Sequence, residues 1–289
     1  MFGPLLSVLL MGMIPVWDLP PIEPLSATLT VAPPAVSSET GDSPHIDLGD
    51  NVSASGIMIM DLQSGQVLAE RNADVSRPMA SLTKLMTALL IVENHSLDEK
   101  VKVPMDIDSV PGNDYHHLPA GDTFTVGDLL SAMLIISSND SAVTLAKYDS
   151  GTIAAFAQKM NARAKTLGLK QTSYDNPVGF DAPRQESTPR DLAWLAMYVL
   201  KNPEIAKRMS TPSTQIVSAE GHAMSLFHTN ELLHEDSFVI AGKTGTTDDA
   251  GQCLLSIVEE KGRKYVVVLL HSRDRYGDMN VILPELASL

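Results

Sequence analysis

The order of hydrophobic patterns along the chain is the feature that most constrains its fold. Strand-like alternation occurs near the start, at 53–62 and 66–69, and returns near the end, at 238–241, 252–258 and 264–271. Helix-like spacing of apolar residues fills the middle. We therefore expect an α+β fold in which one antiparallel sheet is built from both chain ends. An all-helical lobe would be inserted into that sheet, with a cleft between the two.

Capping signals locate several of the predicted helices. Thr125 and Asp128 form a capping box before an apolar run. Thr188 is a cap followed by Pro189 at the first helical position, and Gly168 is placed to end another helix. The inserted lobe should therefore contain helices with sharply defined ends.

The N-terminal part of the chain differs in composition from the rest. Residues 1–17 are apolar and of signal-peptide length, although no Lys or Arg precedes Arg71, so they predict an export or anchor segment. Seven prolines fall between residues 15 and 44, so we expect a linker at 18–44. A single folded domain should then occupy 45–289.

Charge and composition exclude some functions. The formal net charge of -14 repels phosphate backbones and argues against a nucleic-acid partner. The single cysteine, Cys253, stands among apolar residues and is predicted to be a buried packing residue. The histidines, including His116, His117, His222 and His228, lack the spacing of metal ligands, so no metal site is predicted.

Ser81 and Lys84 stand three residues apart at the start of a predicted helix, so their side chains project from one face. A lysine amine can take the proton of a serine hydroxyl only if burial and a nearby positive charge lower its pKa. The pair therefore predicts a nucleophile and its base. The same spacing also fits an ordinary surface serine and lysine.

A second motif, Ser137 and Asn139, follows an apolar helix that is predicted to end at Ile136. A turn between two helices could present their hydroxyl and amide groups to the cleft. Serine and asparagine are also ordinary turn residues, so a purely structural role fits as well.

A third motif, Lys243, Thr244 and Gly245, follows the strand-like run 238–241. The lysine and threonine could line a cleft, and the glycine would let a substrate backbone approach. The segment also resembles the end of a phosphate-binding loop. However, Ser237 stands where that loop needs a glycine, and the run is too apolar to curl around a phosphate.

In this order, the three motifs resemble the low-molecular-mass penicillin-binding proteins, the serine-type D-Ala-D-Ala carboxypeptidase and endopeptidase family. The resemblance covers about residues 50–275 and is carried by 80–87, 137–142, 187–192, and 243–247 with 250–254. It implies a β-lactamase/DD-peptidase-like fold with the active site between the sheet and the lobe.

The resemblance also implies an acyl-enzyme mechanism on peptidoglycan stem peptides, with no metal or organic cofactor and with β-lactams as covalent inhibitors. Its site residues would be Ser81 as nucleophile, Lys84 as base, Ser137 as proton relay, Asn139 at the substrate amide, Lys243 as the cation that keeps Lys84 neutral, Thr244 at a substrate carboxylate, Gly245 beside the substrate, and the N–H groups of Ser81 and Thr246 as oxyanion hole.

Two other functions fit the same fold. A class A β-lactamase needs a further glutamate that activates the deacylating water. Glu186 lies too close to a predicted helix start to match the loop that carries this glutamate, and the middle motif is Ser-Ser-Asn where the lactamases have Ser-Asp-Asn. A non-catalytic penicillin-sensing or wall-binding module would not need the intact motifs. A wall substrate implies an exported protein, in the periplasm or on the outer face of the cytoplasmic membrane, to which residues 1–17 could attach it.

Several features differ from much of the family. The chain continues for only 44 residues after Gly245, which favours the short, endopeptidase-like branch over the longer carboxypeptidases. Pro284 predicts a short or broken closing helix. Arg273 and Arg275 are candidates for binding a substrate carboxylate, and surface solvation fits them equally well.

Overall fold

The computed structural model describes residues 45–107, 110, 118–235 and 237–289. The predicted segments 1–17 and 18–44 lie outside these ranges. The strands are β1 (Gly56–Asp61), β2 (Val67–Arg71), β3 (Arg77–Pro78), β4 (Lys100–Lys102), β5 (Thr123–Thr125), β6 (Glu186–Ser187), β7 (Ser213–Val217), β8 (Ala223–Phe227), β9 (Val239–Thr247), β10 (Gly251–Glu260) and β11 (Arg263–Ser272). The helices are α1 (Lys84–Asn94), α2 (Val126–Ile135), α3 (Asn139–Ser150), α4 (Ile153–Thr166), α5 (Pro189–Val199), α6 (Pro203–Met209) and α7 (Arg275–Ser288).

The main sheet has five antiparallel strands in the order β2-β1-β11-β10-β9. Strand β1, near the start of the chain, pairs with β11, near its end, in a register that sets Gly56 opposite Leu270 and Asp61 opposite Tyr265. The prediction of one sheet built from both chain ends, in an α+β fold, is therefore confirmed. The inserted lobe is not all-helical, because it also contains the two-stranded sheets β3-β6, β4-β5 and β7-β8. Strand β9 forms one edge of the main sheet.

Both faces of the sheet are buried. Every residue of β1 is buried, and successive apolar side chains of this strand point alternately into two different cores. Met58 and Met60 pack with the helical lobe. Ile57 and Ile59 pack in a second core, to which α7 contributes Met279, Ile282 and Leu286. The sheet is thus fixed between two apolar layers, and its edge strand β9 has a rigid support.

The prediction that Pro284 shortens or breaks the closing helix is wrong, because α7 continues through it to Ser288. Proline removes the N–H that would bond the carbonyl of Asn280, four residues earlier. Pro284 and Asn280 are both exposed, so water can satisfy that carbonyl while the opposite face stays packed on the sheet.

The predicted helix caps are confirmed. The Thr125 hydroxyl accepts from the Asp128 N–H at 2.9 Å, and the Asp128 carboxylate accepts from the Thr125 N–H at 3.1 Å. The Thr188 hydroxyl accepts from the Asp191 N–H at 3.1 Å. Gly168 follows the end of α4 with a φ of 74°. These caps fix the starts of α2 and α5. The start of α3 is capped by Ser138, whose hydroxyl accepts from the Ser141 N–H, and it lies beside the cleft.

In the part of the chain that the structure describes, no helix has both the length and the apolarity needed to cross a bilayer.

Candidate active site

A cleft of about 880 Å³ opens between the edge strand β9 and the helical lobe. The three sequence motifs meet in it. Its walls include Ser81, Ser137, Asn139, Thr244, Gly245 and Thr246. Lys84 and Lys243 lie directly beneath, each with no exposed surface. The structure therefore brings all eight predicted site residues together, although they are spread over 166 positions of the chain (from 81 to 246, counted inclusively).

Ser81 belongs to a 3-10 turn (Ala80–Thr83) that leads directly into α1, whose first residue is Lys84. The Lys84 amine lies 2.7 Å from the Ser81 hydroxyl, 2.8 Å from the Asn139 side-chain carbonyl and 2.9 Å from the Val178 backbone carbonyl. A neutral amine has two hydrogens and one lone pair. The two carbonyls can only accept, so they take both hydrogens and leave the lone pair facing the Ser81 hydroxyl.

Burial lowers the pKa of Lys84 well below its ordinary value, and the positive charge of Lys243 lowers it further. Desolvation is the larger cause because an ammonium group loses its hydration in this position. A neutral Lys84 can accept a proton from Ser81, so geometry and charge both suit the role of a base.

Ser137 lies between the second lysine and the cleft. Its hydroxyl accepts from the Lys243 ammonium at 2.7 Å, and Lys243 also donates to the Thr244 carbonyl at 2.7 Å. Burial, and then the positive charge of Arg275, lowers the pKa of Lys243 to about 7. Ser137 has a left-handed backbone, with φ 60°, which allows the following Ser138 to cap α3. Lys243 can therefore exchange protons with Ser137 near neutral pH.

The Lys243 motif lies within a strand, not after one as the sequence predicted. Strand β9 continues to Thr247 because β10 pairs with it throughout, so residues 243–245 remain in the ladder. The sequence prediction relied on apolar residues, so it identified only the run 238–241 and missed the polar remainder of the strand. Gly245 is required here, because a Cβ atom would lie 2.7 Å from the Ser81 nitrogen.

The loop 176–180 supplies the Val178 carbonyl that bonds Lys84, and the sequence analysis did not identify it. The Asn176 side-chain oxygen accepts from the N–H groups of Val178, Gly179 and Phe180, at 3.1, 2.8 and 3.1 Å. Gly179 has φ 103°, and a Cβ there would lie 2.0 Å from the Ala80 carbonyl oxygen. The Ser81 segment is thus held between Gly179 and Gly245.

Arg275, the first residue of α7, lines the cleft beside β9. Its guanidinium donates to the Gly245 carbonyl at 3.1 Å, to the Cys253 carbonyl at 2.9 Å and to the Thr246 hydroxyl. Arg273 is exposed and is not among the described residues that line the cleft. Of the two candidate arginines, Arg275 is therefore the one placed to meet a ligand in the cleft.

Thr229 and Tyr276 are cleft residues that the sequence analysis missed. The Thr229 and Thr244 hydroxyl oxygens are 2.6 Å apart, and the Tyr276 hydroxyl donates to the Thr229 carbonyl at 2.9 Å. Thr229 follows the β7–β8 hairpin, and Tyr276 lies in α7. Neither belongs to a motif, so only the three-dimensional fold reveals their proximity to Thr244.

The residues considered for β-lactamase, thiol or metal chemistry do not form a second site in the described ranges. Glu186 pairs with Pro78 between β6 and β3 and is not among the described residues that line the cleft. Cys253 is completely buried, and burial raises the pKa of its thiol to about 11, which confirms a packing role. No group of three His, Cys, Asp or Glu side chains within the described ranges could hold a metal ion. His116 and His117 lie outside those ranges.

Comparison with known proteins gives consistent results. Residues 41–274 match the family described as D-alanyl-D-alanine carboxypeptidase. The chain is 31% identical to D-alanyl-D-alanine carboxypeptidase DacF of Bacillus subtilis over 83% of its own length and 62% of that protein's length. It is also 31% identical to a D-alanyl-D-alanine endopeptidase of Pseudomonas aeruginosa, over 80% of its own length and 75% of that protein's length.

Solved structures of proteins with the same kind of name have a similar fold. A D-alanyl-D-alanine carboxypeptidase of Mycobacterium tuberculosis superimposes with a TM-score of 0.78 at 28% identity, covering 85% of this chain and 94% of the other. The Streptomyces K15 DD-transpeptidase superimposes with a TM-score of 0.77 at 30% identity, covering 82% and 98%. The expected DD-peptidase-like fold is confirmed.

Proposed function

This chain belongs to the D-alanyl-D-alanine carboxypeptidase family, and from that premise we propose that it is a serine peptidase. It hydrolyses the peptide bond that follows a D-alanine residue in peptidoglycan stem peptides, through an acyl-enzyme on Ser81. The observation that carries the proposal is the buried Lys84 amine, whose nitrogen lies 2.7 Å from the Ser81 hydroxyl and 2.8 and 2.9 Å from two carbonyl oxygens that can accept its hydrogens.

In the acylation step, the Ser81 oxygen attacks the carbonyl carbon of the penultimate D-alanine and its proton passes to Lys84. The C–N bond then breaks. Ser137 gives its hydroxyl proton to the leaving amine and takes a proton from Lys243, 2.7 Å away. Lys84 ends the step charged and Lys243 ends it neutral, so the two lysines together carry one positive charge throughout.

Deacylation reverses these transfers. A water molecule attacks the ester carbonyl, and its proton passes through Ser137 to the neutral Lys243. Lys84 returns its proton to the departing Ser81 oxygen, which restores the starting charges. A pKa of about 7 suits Lys243 to this exchange, because the amine can both lose and regain a proton near neutral pH.

Charge that develops on the substrate carbonyl would be stabilised by the backbone N–H groups of Ser81 and Thr246, both in the cleft wall. Each such donor stabilises the transition state by about 3 kcal/mol. Asn139 binds the substrate amide, and Gly245 leaves room for the substrate backbone along β9. A terminal carboxylate lies against the Thr244 hydroxyl, with Arg275 as the nearby cation.

Carboxypeptidase and endopeptidase names occur among relatives at the same 31% identity. The proposal therefore concerns the bond cleaved and the acyl-enzyme common to both activities. Because its substrate lies outside the cytoplasmic membrane, we further propose an exported protein. Residues 1–17 would direct export or anchor the chain, 18–44 would be a linker, and 45–289 would form the catalytic domain.

The test is covalent labelling. A fluorescent penicillin should form a lasting adduct with the protein, and Ser81→Ala should abolish it. Labelling that persists in Ser81→Ala would overturn the nucleophile assignment. Rapid turnover of the penicillin without an adduct would indicate a β-lactamase, and binding of wall fragments without hydrolysis would indicate a sensor.

A second measurement defines the substrate. Mass spectrometry of purified muropeptides, before and after incubation, should show loss of a terminal D-alanine or conversion of cross-linked dimers to monomers. The Ser81→Ala protein is the control, since it should keep the fold and change neither kind of muropeptide.

A further inference from the structure

Thr229 is an exposed residue of the cleft wall, and its hydroxyl contacts the hydroxyl of Thr244, one of the proposed substrate-binding groups. Its hydroxyl oxygen lies 2.6 Å from that of Thr244. We infer that Thr229 is a positioning residue that makes the site selective for substrates with a free carboxylate. The inference rests on the proposed function, in which Thr244 donates its hydrogen bond to that carboxylate.

The proposed selectivity depends on the direction of this hydrogen bond. A threonine hydroxyl has one hydrogen and can accept through its lone pairs. Thr244 can donate to a substrate carboxylate only if it does not donate to Thr229. When Thr229 is the donor, the Thr244 hydrogen is free to point into the cleft, and the two hydroxyls form a chain of donors that ends on the anion. Such a chain strengthens each of its bonds.

The backbone on both sides of this hydroxyl is fixed. The Thr229 N–H donates to the Ile135 carbonyl at 3.0 Å, at the end of α2. The Thr229 carbonyl accepts from the Tyr276 hydroxyl at 2.9 Å, and the Glu231 N–H donates to the same hydroxyl at 3.1 Å. The Thr229 backbone is thereby tied to both the helical lobe and α7, which holds the residue beside Thr244.

The electrostatic surroundings favour the same direction. Thr244 is buried, its carbonyl accepts from Lys243, and Arg275 reaches the same stretch of β9. These cations attract an anionic group to this end of the cleft, and a bound anion accepts hydrogen bonds only. Thr229, at the outer end of the pair, is the hydroxyl that can direct its hydrogen inward.

The experiment compares two peptides that differ in one group: N-acyl-L-Lys-D-Ala-D-Ala with a free carboxylate and the same peptide with a C-terminal amide. In the unaltered protein kcat/KM should be higher for the carboxylate. Thr229→Val, which keeps the shape and removes the hydroxyl, should lower this carboxylate-to-amide ratio about tenfold, or about 1.4 kcal/mol. The change should come from the carboxylate peptide, with the amide peptide nearly unaffected.

Thr229→Ser is the matched control, because it keeps a hydroxyl and should keep the carboxylate-to-amide ratio of the unaltered protein. Thr229→Ala provides a second hydroxyl-free variant if Thr229→Val does not fold, and it should give the same loss. Equal ratios in the unaltered protein and the hydroxyl-free variants would overturn the inference while leaving the peptidase function intact. Absence of hydrolysis and of penicillin labelling in the unaltered protein would instead overturn the proposed function, and this inference with it.

Discussion

The buried lysines of the cleft should make the folded protein less stable, and Lys243→Met measures this cost. Lys243 has no exposed surface, and burial lowers its pKa from 10.5 to about 7. In the unfolded chain the amine keeps its proton up to about pH 10.5. Between pH 7 and 10.5 the unfolded state therefore binds more protons than the folded state, so the free energy of unfolding rises with pH.

The expected size follows from that interval. One pH unit corresponds to about 1.4 kcal/mol, so the full cost of burying the charged amine is about 4–5 kcal/mol at pH 7. Methionine removes this cost but loses the hydrogen bonds to Ser137 and Thr244, worth about 1 kcal/mol each. Lys243→Met should therefore raise the free energy of unfolding by about 2–3 kcal/mol at pH 7, while abolishing acylation.

Urea denaturation at pH 7, 8 and 9 provides the assay. The gain in Lys243→Met should fall by about 1.4 kcal/mol per pH unit and be close to zero near pH 9. Lys170→Met is the control, because Lys170 is exposed and its replacement removes no buried amine, so it should not give this gain. A Lys243→Met protein that is no more stable than the unaltered one at pH 7, with the same difference at pH 9, would refute this account of Lys243.

Three further substitutions test other parts of the site and fold. Asn139→Asp places a carboxylate beside the Lys84 amine, where the carbonyl oxygen now lies at 2.8 Å, and should raise the pKa of Lys84; penicillin acylation at pH 7 should fall at least about tenfold and recover as the pH rises. Gly179→Ala drives a Cβ against the Ala80 carbonyl and should cost more than about 2 kcal/mol in urea denaturation and impair acylation, whereas Gly151→Ala, with a similarly positive φ but open space, should cost about 1 kcal/mol and leave acylation unchanged. Asp278→Asn weakens the acceptor of the Ser53 and Ala54 N–H groups and should lower the free energy of unfolding by about 1–3 kcal/mol, without changing the acylation rate of the folded protein.

Sequence patterns predicted the parts of this protein that depend on local or periodic chemistry. Caps such as Thr125 and Thr188 succeeded because each satisfies N–H groups within one helical turn. The sheet between both chain ends followed from where alternating residues occur. That the three motifs share one cleft was predicted by their resemblance, in this order along the chain, to the low-molecular-mass penicillin-binding proteins.

The remaining features depend on tertiary contacts that residue types do not encode. The Val178 group that bonds Lys84 is a backbone carbonyl, which every residue possesses, so only the loop conformation makes it functional. Thr229 meets Thr244 because the hairpin and the edge strand converge. Pro284 was misjudged because its effect depends on which side of α7 faces water, and the sheet determines that side.

The pairing of β1 with β11 also has a consequence for how the chain folds. Gly56 and Leu270 are 214 positions apart, so this central contact has a very large sequence separation, which raises contact order and slows folding. During synthesis β1 has no partner strand in the main sheet other than β2 until residues 263–272 emerge. An apolar strand whose edge stays unpaired during synthesis is prone to aggregation. We therefore expect the nascent chain to depend on chaperones until β11 has been synthesised and can pair with β1.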